Sequence, residues 1–216
     1  MSMTDGIKIN GKHSYADFGL YLKSRNIGLP EKKSIRETVP YMNGYYDFSA
    51  LNGAPAWGER TIEYSFDVTN DSPAELDYFV SYVMDWLGNA QDVDIVDDTV
   101  YGYHWHGSYA EASVEWDETG MQAEISVSFV VHPFKIANDP TQYNMTAGTH
   151  TIVNAGMAVA PYVSSTAAAA IQIGTYVASI AANEQIQLEI DLERGNNTVI
   201  VTGEGTVTLS YYREVL

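Results

Sequence analysis

Cysteine is absent from the 216 residues. That excludes disulfide staples, thiolate nucleophiles and Cys-ligated zinc, and it fits folding in a reducing compartment. Basic residues are scarce: 11 Lys and Arg stand against 28 Asp and Glu, giving a net charge of −17 and a pI near 4.4. Recognition of a phosphate backbone needs clustered Lys and Arg. A nucleic-acid binder is therefore excluded, and the repulsion expected between this chain and DNA suits a passage rather than a grip. No basic amphipathic stretch addresses a membrane surface. Long apolar runs are missing too: the Ala run at 166–170 falls far short of the roughly 20 residues of a membrane helix. The N-terminus, MSMTDGIKING, has neither a charged n-region nor an apolar run, so no signal peptide is expected. No P-loop, nucleophile elbow or dinucleotide fingerprint occurs, and neither catalysis nor a cofactor is expected.

What is present is 45% apolar content, enough to bury a core in one large domain or two small ones. The strongest local pattern is 60–68, where Ile62, Tyr64, Phe66 and Val68 alternate with Thr61, Glu63, Ser65 and Asp67. Period-2 alternation marks a half-buried strand. The limb before it, 37–58, carries Tyr41, Tyr45, Tyr46, Phe48 and Trp57, interrupted by Gly44, Gly53, Pro55 and Gly58. A limb so broken cannot be a core strand. Its rings either fold over their own domain or lie on another molecule, since Tyr and Trp are favoured at interfaces. Arg36 and Arg60 flank the limb, where either can pair with a partner's acid.

Elsewhere, Ile7 and Ile9 alternate before Asn10-Gly11, a two-residue hairpin turn, and 15–22 reads as the partner strand with Gly19 at a bulge. Ser72, Pro73 and Glu75 open a helix with a capping box. Leu76, Phe79, Val80, Val83, Met84 and Leu87 form its apolar stripe, and Gly88 stops it, so one principal helix is expected over 73–87. The period then returns to two: strands are expected around Val93 and Ile95, over 101–113, and over 121–131, where Ala123, Ile125, Val127, Phe129 and Val131 share a face. Composition shifts near Asn138. All four Trp lie before it, and the segment from Thr141 onward carries 6 acids and 2 bases with no Phe or Trp. Short runs at 151–154, 160–164, 168–173, 175–180, 185–192, 197–202 and 206–212, separated by polar turns, indicate a small β-sandwich or roll.

Three groups of polar residues invite chemistry. His104 and His106 share a strand face and can begin a zinc site, but no third ligand is identifiable, so they read as a strand's outer face. Asp92, Asp94, Asp97 and Asp98 form one acidic patch, and Glu111, Glu115, Asp117 and Glu118 a second. Calcium-loop spacing is absent, a hydrolase carboxylate pair leaves no local signature, and solvated acidic faces are the expectation.

In order, the chain shows an I-x-I-N-G hairpin, DFGLYL at 17–22, VPYMNGYYDFS at 39–49, an Arg60-led strand and one capped helix. An Asp-Asp turn, Tyr-rich strands and a strand ending SFVVHPFK at 128–135 follow. Then come an Asn-x-Gly at 154–156, a strand containing Pro161, and GNNT at 195–198 before a Tyr-Arg strand. Over essentially its whole length this order resembles the distal tail protein (Dit) family of long-tailed siphophages. The resemblance implies a mainly β fold with one principal helix. A ring-forming domain at 1–138 would comprise two packed sheets, the helix and an extended belt arm at about 37–60. A small galectin- or carbohydrate-binding-module-like sandwich would follow at 139–216. It further implies a homo-hexameric ring, single or stacked back to back, at the far end of the tail tube. Such a ring would be the assembly hub for tail-associated, baseplate and receptor-binding proteins, with DNA passing through and no membrane insertion. It would be assembled in the host cytoplasm and would reside in the virion tail tip. Tyr41, Tyr45, Tyr46, Phe48, Trp57 and Arg60 become the candidate intersubunit belt, and Asp92, Asp94, Asp97 and Asp98 the candidate lumen-facing acids. The second domain lacks the Trp with which such sandwiches stack sugars, and it reads as a docking or spacing module. The alternatives are a lectin-like or adhesin-type binding module without catalysis and, further off, an acid-based hydrolase. Mass in solution separates a hexamer from a monomeric module.

Overall fold

The computed structural model describes residues 4–49 and 55–216, so Gly53 of the Gly-interrupted limb lies outside the described residues. The chain divides into two compact units, 1–135 with Leu216 and 136–215.

The first unit contains β1 (Ile7–Ile9), β2 (Lys12–His13), β3 (Tyr21–Ile27), β4 (Arg36–Glu37), β5 (Tyr46–Asp47), β6 (Arg60–Thr69), α1 (Pro73–Gly88), β7 (Val93–Asp97), β8 (Tyr103–Trp116) and β9 (Gln122–Val131). The strand order is β2-β1-β7-β8-β9-β6-β3, with every pairing antiparallel. Ten consecutive pairs join β6 to β9, from Arg60↔Val131 to Thr69↔Gln122. The alternating residues of both strands bury the expected faces: Ile62, Tyr64, Phe66 and Val68 meet Ala123, Ile125, Val127, Phe129 and Val131 in one core.

Two packed sheets are expected here; a single continuous sheet supplies both layers. Four strand spacings separate β3 from β7 along the order, which is close to 20 Å if the sheet is flat. Yet Arg25 on β3 reaches Asp97 on β7 at 3.2 Å. The sheet must therefore curl until β3 approaches β7. A bulge between Tyr109 and Glu111 on β8, and another between Leu22 and Ser24 on β3, sharpen the bend. Gly107 on β8 is part of the same geometry: a Cβ there collides with the Val130 carbonyl and Val131, so the strands approach where only glycine fits.

The helix covers the core with Leu76, Val80, Val83, Trp86 and Leu87. Trp86 also stacks on Phe18, with centroids 4.4 Å apart, and donates its indole N–H to the Ile9 carbonyl at 3.3 Å. The expected capping box does not form. Ser72 is extended and makes no side-chain cap bond; its carbonyl accepts from Leu76, and Pro73 alone organises the first turn. Gly88 remains helical, and Asn89 terminates the helix by donating its side-chain amide to the Asp85 carbonyl at 2.7 Å. The Asn10-Gly11 turn is as expected, with φ of 51° and 79°. The strand expected at 15–22 is instead a turn stapled by Asp17 N–H to His13 O and Gly19 N–H to Tyr15 O, and β3 begins only at Tyr21.

After β10 (Lys135–Ala137), which begins on the last residue of the first unit, the second unit holds β11 (Thr141–Met145), β12 (Gly148–Asn154), β13 (Tyr162–Ser165), β14 (Ala169–Ile173), β15 (Tyr176–Ile180), β16 (Gln185–Gln187), β17 (Gly195–Gly203), β18 (Val207–Tyr211) and β19 (Glu214–Val215). Two four-stranded sheets, β11-β18-β13-β16 and β12-β17-β14-β15, enclose Met145, Ile152, Val163, Ile171, Val199, Val201, Val207 and Leu209. This is a small antiparallel sandwich. The strand expected over 185–192 stops at Gln187, after which Leu188 and Leu192 stay buried without a regular ladder. Asn154 pins the unit: its amide donates to the Met157 and Leu192 carbonyls at 2.7 and 2.9 Å, and its oxygen accepts from Gly156 at 2.9 Å.

Candidate functional site

Between β3 and β6 the chain leaves the sheet as an arm. Its outer part is a ribbon in which Arg36 pairs with Asp47 and Glu37 with Tyr46. Arg36 bonds the Asp47 carboxylate at 3.3 Å and lies 4.6 Å over the Tyr45 ring. Asp47 also accepts from Ser49, and these bonds, Ser49 first and Arg36 after it, hold its carboxyl below the ordinary value. Tyr46 and Phe48 stack at 6.2 Å. The ribbon nevertheless buries little. Tyr41, Tyr45, Tyr46 and Phe48 are all exposed, as are Ile35 and Val39. Tyr41 is fully exposed among the described residues, at the left-handed φ of 68°. Six large apolar or aromatic side chains are thus exposed over 35–48, a density above that of hydrophobes scattered singly on a surface.

The two remaining belt candidates are placed differently. Trp57 sits at the arm's root, edge-on to Phe134 at 6.2 Å and under Lys32 at 5.4 Å. Backbone bonds from Lys33 to Ala56 and from Gly58 to Glu31 close the root. Arg60 is only 4% exposed and its guanidinium lies 4.8 Å over the Trp105 ring. Arg60 belongs to the interior of its own unit and is no part of the exposed belt surface.

The four candidate acids do not form one surface either. Asp97 is 1% exposed. Its carboxylate accepts from Thr99 N–H at 2.8 Å, Thr99 Oγ1 at 2.6 Å, Tyr64 OH at 3.1 Å and Arg25 Nη1 at 3.2 Å. It is the clasp of the curled sheet and cannot face a lumen. Burial, followed by the nearby Asp97 charge, pushes the Tyr64 hydroxyl far above its ordinary value. Asp98 accepts from Gly6 N–H at 3.0 Å and meets His13 Nε2 at 2.8 Å. Asp92 and Asp94 are exposed and grip His106 from both sides, at 2.9 Å on Nε2 and 2.8 Å on Nδ1. With a carboxylate on each nitrogen, His106 is favoured as the imidazolium, and its pKa is raised, by Asp94 foremost and then Asp92. His104 lies 3.5 Å from Asp94. Among the described residues no group of three or more His, Asp or Glu is arranged to hold a metal.

In the second acidic group, Asp117 organises the turn before β9. It accepts from Thr119, Met121 and Gln122, which holds its carboxyl below the ordinary value, Thr119 foremost. In the second unit, the hydroxyls of Tyr143 and Tyr211 both donate to the Val153 carbonyl, and that of Tyr176 accepts from the Glu189 N–H. Tyr162 and Tyr212 are the exposed rings.

Strand period places Arg60 on the face of buried Ile62 and Asp97 on that of buried Ile95, but period alone does not tell that a charged residue at a strand end is buried with that face.

No protein-family model and no curated protein matches the sequence. Among solved structures, the crystal structure of the SPP1 Dit (gp 19.1) protein, described as a paradigm of the hub adsorption apparatus in phages infecting Gram-positive hosts, superposes with a TM-score of 0.75 at 14% identity, over 98% of this chain and 99% of that one. A chain of the phage P2 baseplate in its activated conformation with Ca aligns over 99% and 100% at 8% identity, with a TM-score of 0.46. By fold, this chain is Dit-like from end to end.

Proposed function

We propose that this protein is a structural hub of a phage tail tip. Six copies close a ring at the distal end of the tail tube, on which baseplate and receptor-binding proteins assemble and through which DNA leaves. The observation that carries the reading is the end-to-end match to a protein named as a hub of an adsorption apparatus. The exposed aromatic ribbon supports it, because exposed rings at this density mark a surface awaiting a partner. In this reading Tyr41, Tyr45, Tyr46 and Phe48 contact the neighbouring copy, and Trp57 anchors the arm to its own unit. Asp92, Asp94 and Asp98 are the exposed acids left to face a lumen, where fixed negative charge lets DNA slide without sticking. The second unit serves as a docking or spacing module. The protein works by assembly rather than catalysis.

The test is a variant carrying serine at Tyr41, Tyr45, Tyr46 and Phe48, compared with the wild type by light scattering and thermal melting. Loss of the ring with an unchanged melting temperature supports an arm that acts between copies. A variant that still assembles refutes it.

A further inference from the structure

The strands of the second unit are free of charge. From β11 to β18 no strand contains Asp, Glu, Lys or Arg, and the 6 acids and 2 bases of that segment all stand outside them. By contrast, β6 alone carries Arg60, Glu63 and Asp67. The register of the sheet β12-β17-β14-β15 lays out its outer face. Thr149, Ile200, Gln172 and Val177 stand opposite one another across the four strands, as one row. Two residues along, Thr202, Ala170 and Ser179 form a row of small side chains, and a shallow hollow opens there. Ile200 and Val177 are 36% and 60% exposed, while Val199, Val201 and Ile171 take the core side of the same strands. A ridge of larger side chains thus runs beside a trough of small ones. Glu184, at the rim of the trough, accepts from the Ala181 N–H at 2.9 Å. The other sheet of the sandwich is uncharged too. Its outer face is built of amides and hydroxyls, Gln142, Asn144, Gln185 and Gln187 among them, which burial penalises.

We propose that the β12-β17-β14-β15 face binds a second copy of the chain, about a twofold axis lying between the two rows. The rotation seats the ridge of each copy in the trough of the other, so the surface is complementary to itself. Charge identifies the occupant. At a twofold contact each side chain near the axis meets its own like, so any charge there is set against the same charge. On a chain of net charge −17, a face without charge is what lets identical copies approach. A different partner, steered to an acidic chain by its own basic groups, finds acids to address on other surfaces and none on these strands. The face measures roughly 20 by 17 Å from strand spacing and rise, so one contact covers less than half of the roughly 800 Å² per partner in a stable complex. A single pair is therefore weak, whereas six made at once between two rings hold. This inference rests on the ring proposed above: two rings pair through their second units into a particle of twelve copies.

The experiment follows particle mass against protein concentration for wild type, Val177→Asp and Val177→Lys, with the melting temperature of each. Val177 is exposed, so both variants are expected to melt as the wild type does. In the paired arrangement the two copies of residue 177 lie about 7 Å apart, two residues' rise along a strand, which is within a Debye length. The wild type is expected to pass from six copies to twelve. Each variant alone is expected to need at least about tenfold more protein to do so, because every contact then sets like charges together. An equal mixture of rings of the two variants is expected to double as readily as wild type, a rescue that only a face meeting itself gives. A wild type that stays at six copies at every concentration overturns the inference and leaves the ring standing. So does a variant that doubles at the wild-type midpoint, or a mixture without rescue. If the Val177 variants fail to fold, Gln172→Glu and Gln172→Lys, in the same row, are read in the same way. A wild type that stays a single chain at every concentration refutes the ring itself and this inference with it.

Discussion

Asp97→Ala tests the clasp that closes the curled sheet. The substitution removes the acceptor of four hydrogen bonds, two from Thr99 and one each from Tyr64 and Arg25. Tyr64 is 1% exposed, so its hydroxyl is left with neither water nor a partner, a cost of about 1–3 kcal/mol. The Arg25 side chain is one-third exposed and can turn to water, so its contribution is about 1 kcal/mol or less. The Thr99 bonds are local and surface-proximal and add about 0.5–1 kcal/mol. The expected total is about 1.5–5 kcal/mol, reaching at its upper end the roughly 3–5 for breaking a fully buried pair. Urea unfolding followed by Trp fluorescence is the assay. All four Trp lie before residue 138, so the signal reports the first unit alone. A second step sharpens the test: adding Tyr64→Phe to Asp97→Ala removes the orphaned hydroxyl and is expected to recover about 1–2 kcal/mol, whereas Tyr64→Phe in the wild type destabilises. A cost for Asp97→Ala under about 0.5 kcal/mol, or no recovery in the double variant, refutes the clasp.

Asn154→Ala orphans the Gly156 N–H and two carbonyls that Asn154 now satisfies. It is expected to destabilise the second unit by about 2–3 kcal/mol with the Trp-monitored transition unmoved; far-UV circular dichroism against Trp fluorescence separates the two. His106, gripped by Asp92 and Asp94, has a raised pKa, so its stabilisation is fully present below the ordinary value near 6.5 and is lost as pH rises through the folded value. Stability of the first unit is therefore expected to fall slightly as pH rises from about 6.5, by less than about 1 kcal/mol because the site is exposed. His106→Gln is expected to flatten that slope in pH-dependent urea midpoints; an unchanged slope contradicts the grip.

Much of this fold is legible in the residues because it rests on periodicity. Strands β6 and β9 alternate cleanly, and α1 carries an apolar stripe at helical spacing, so their inner faces follow from the sequence. Strand β11, TQYNM, escapes because only Met145 is buried, and a strand with one inward side chain carries no detectable period. The single curled sheet also escapes. Curvature is set by bulges at 22–24 and 109–111, which no residue type announces, so two layers were expected to be two sheets. The site divides by the same logic. An exposed aromatic arm is visible as rings among glycines, whereas burial of Asp97 and Arg60 runs against the ordinary tendency of charge to face water and is set by tertiary partners distant in sequence.

The most direct measurement of the ring is single-particle electron microscopy of the purified protein, with its particle mass taken on the same sample. The expected result is an annular particle with a central opening, sixfold in projection, with a mass of six or twelve copies of the 23.8 kDa chain. Compact particles of single-chain mass at every concentration, with the arm folded on its own unit, contradict the account.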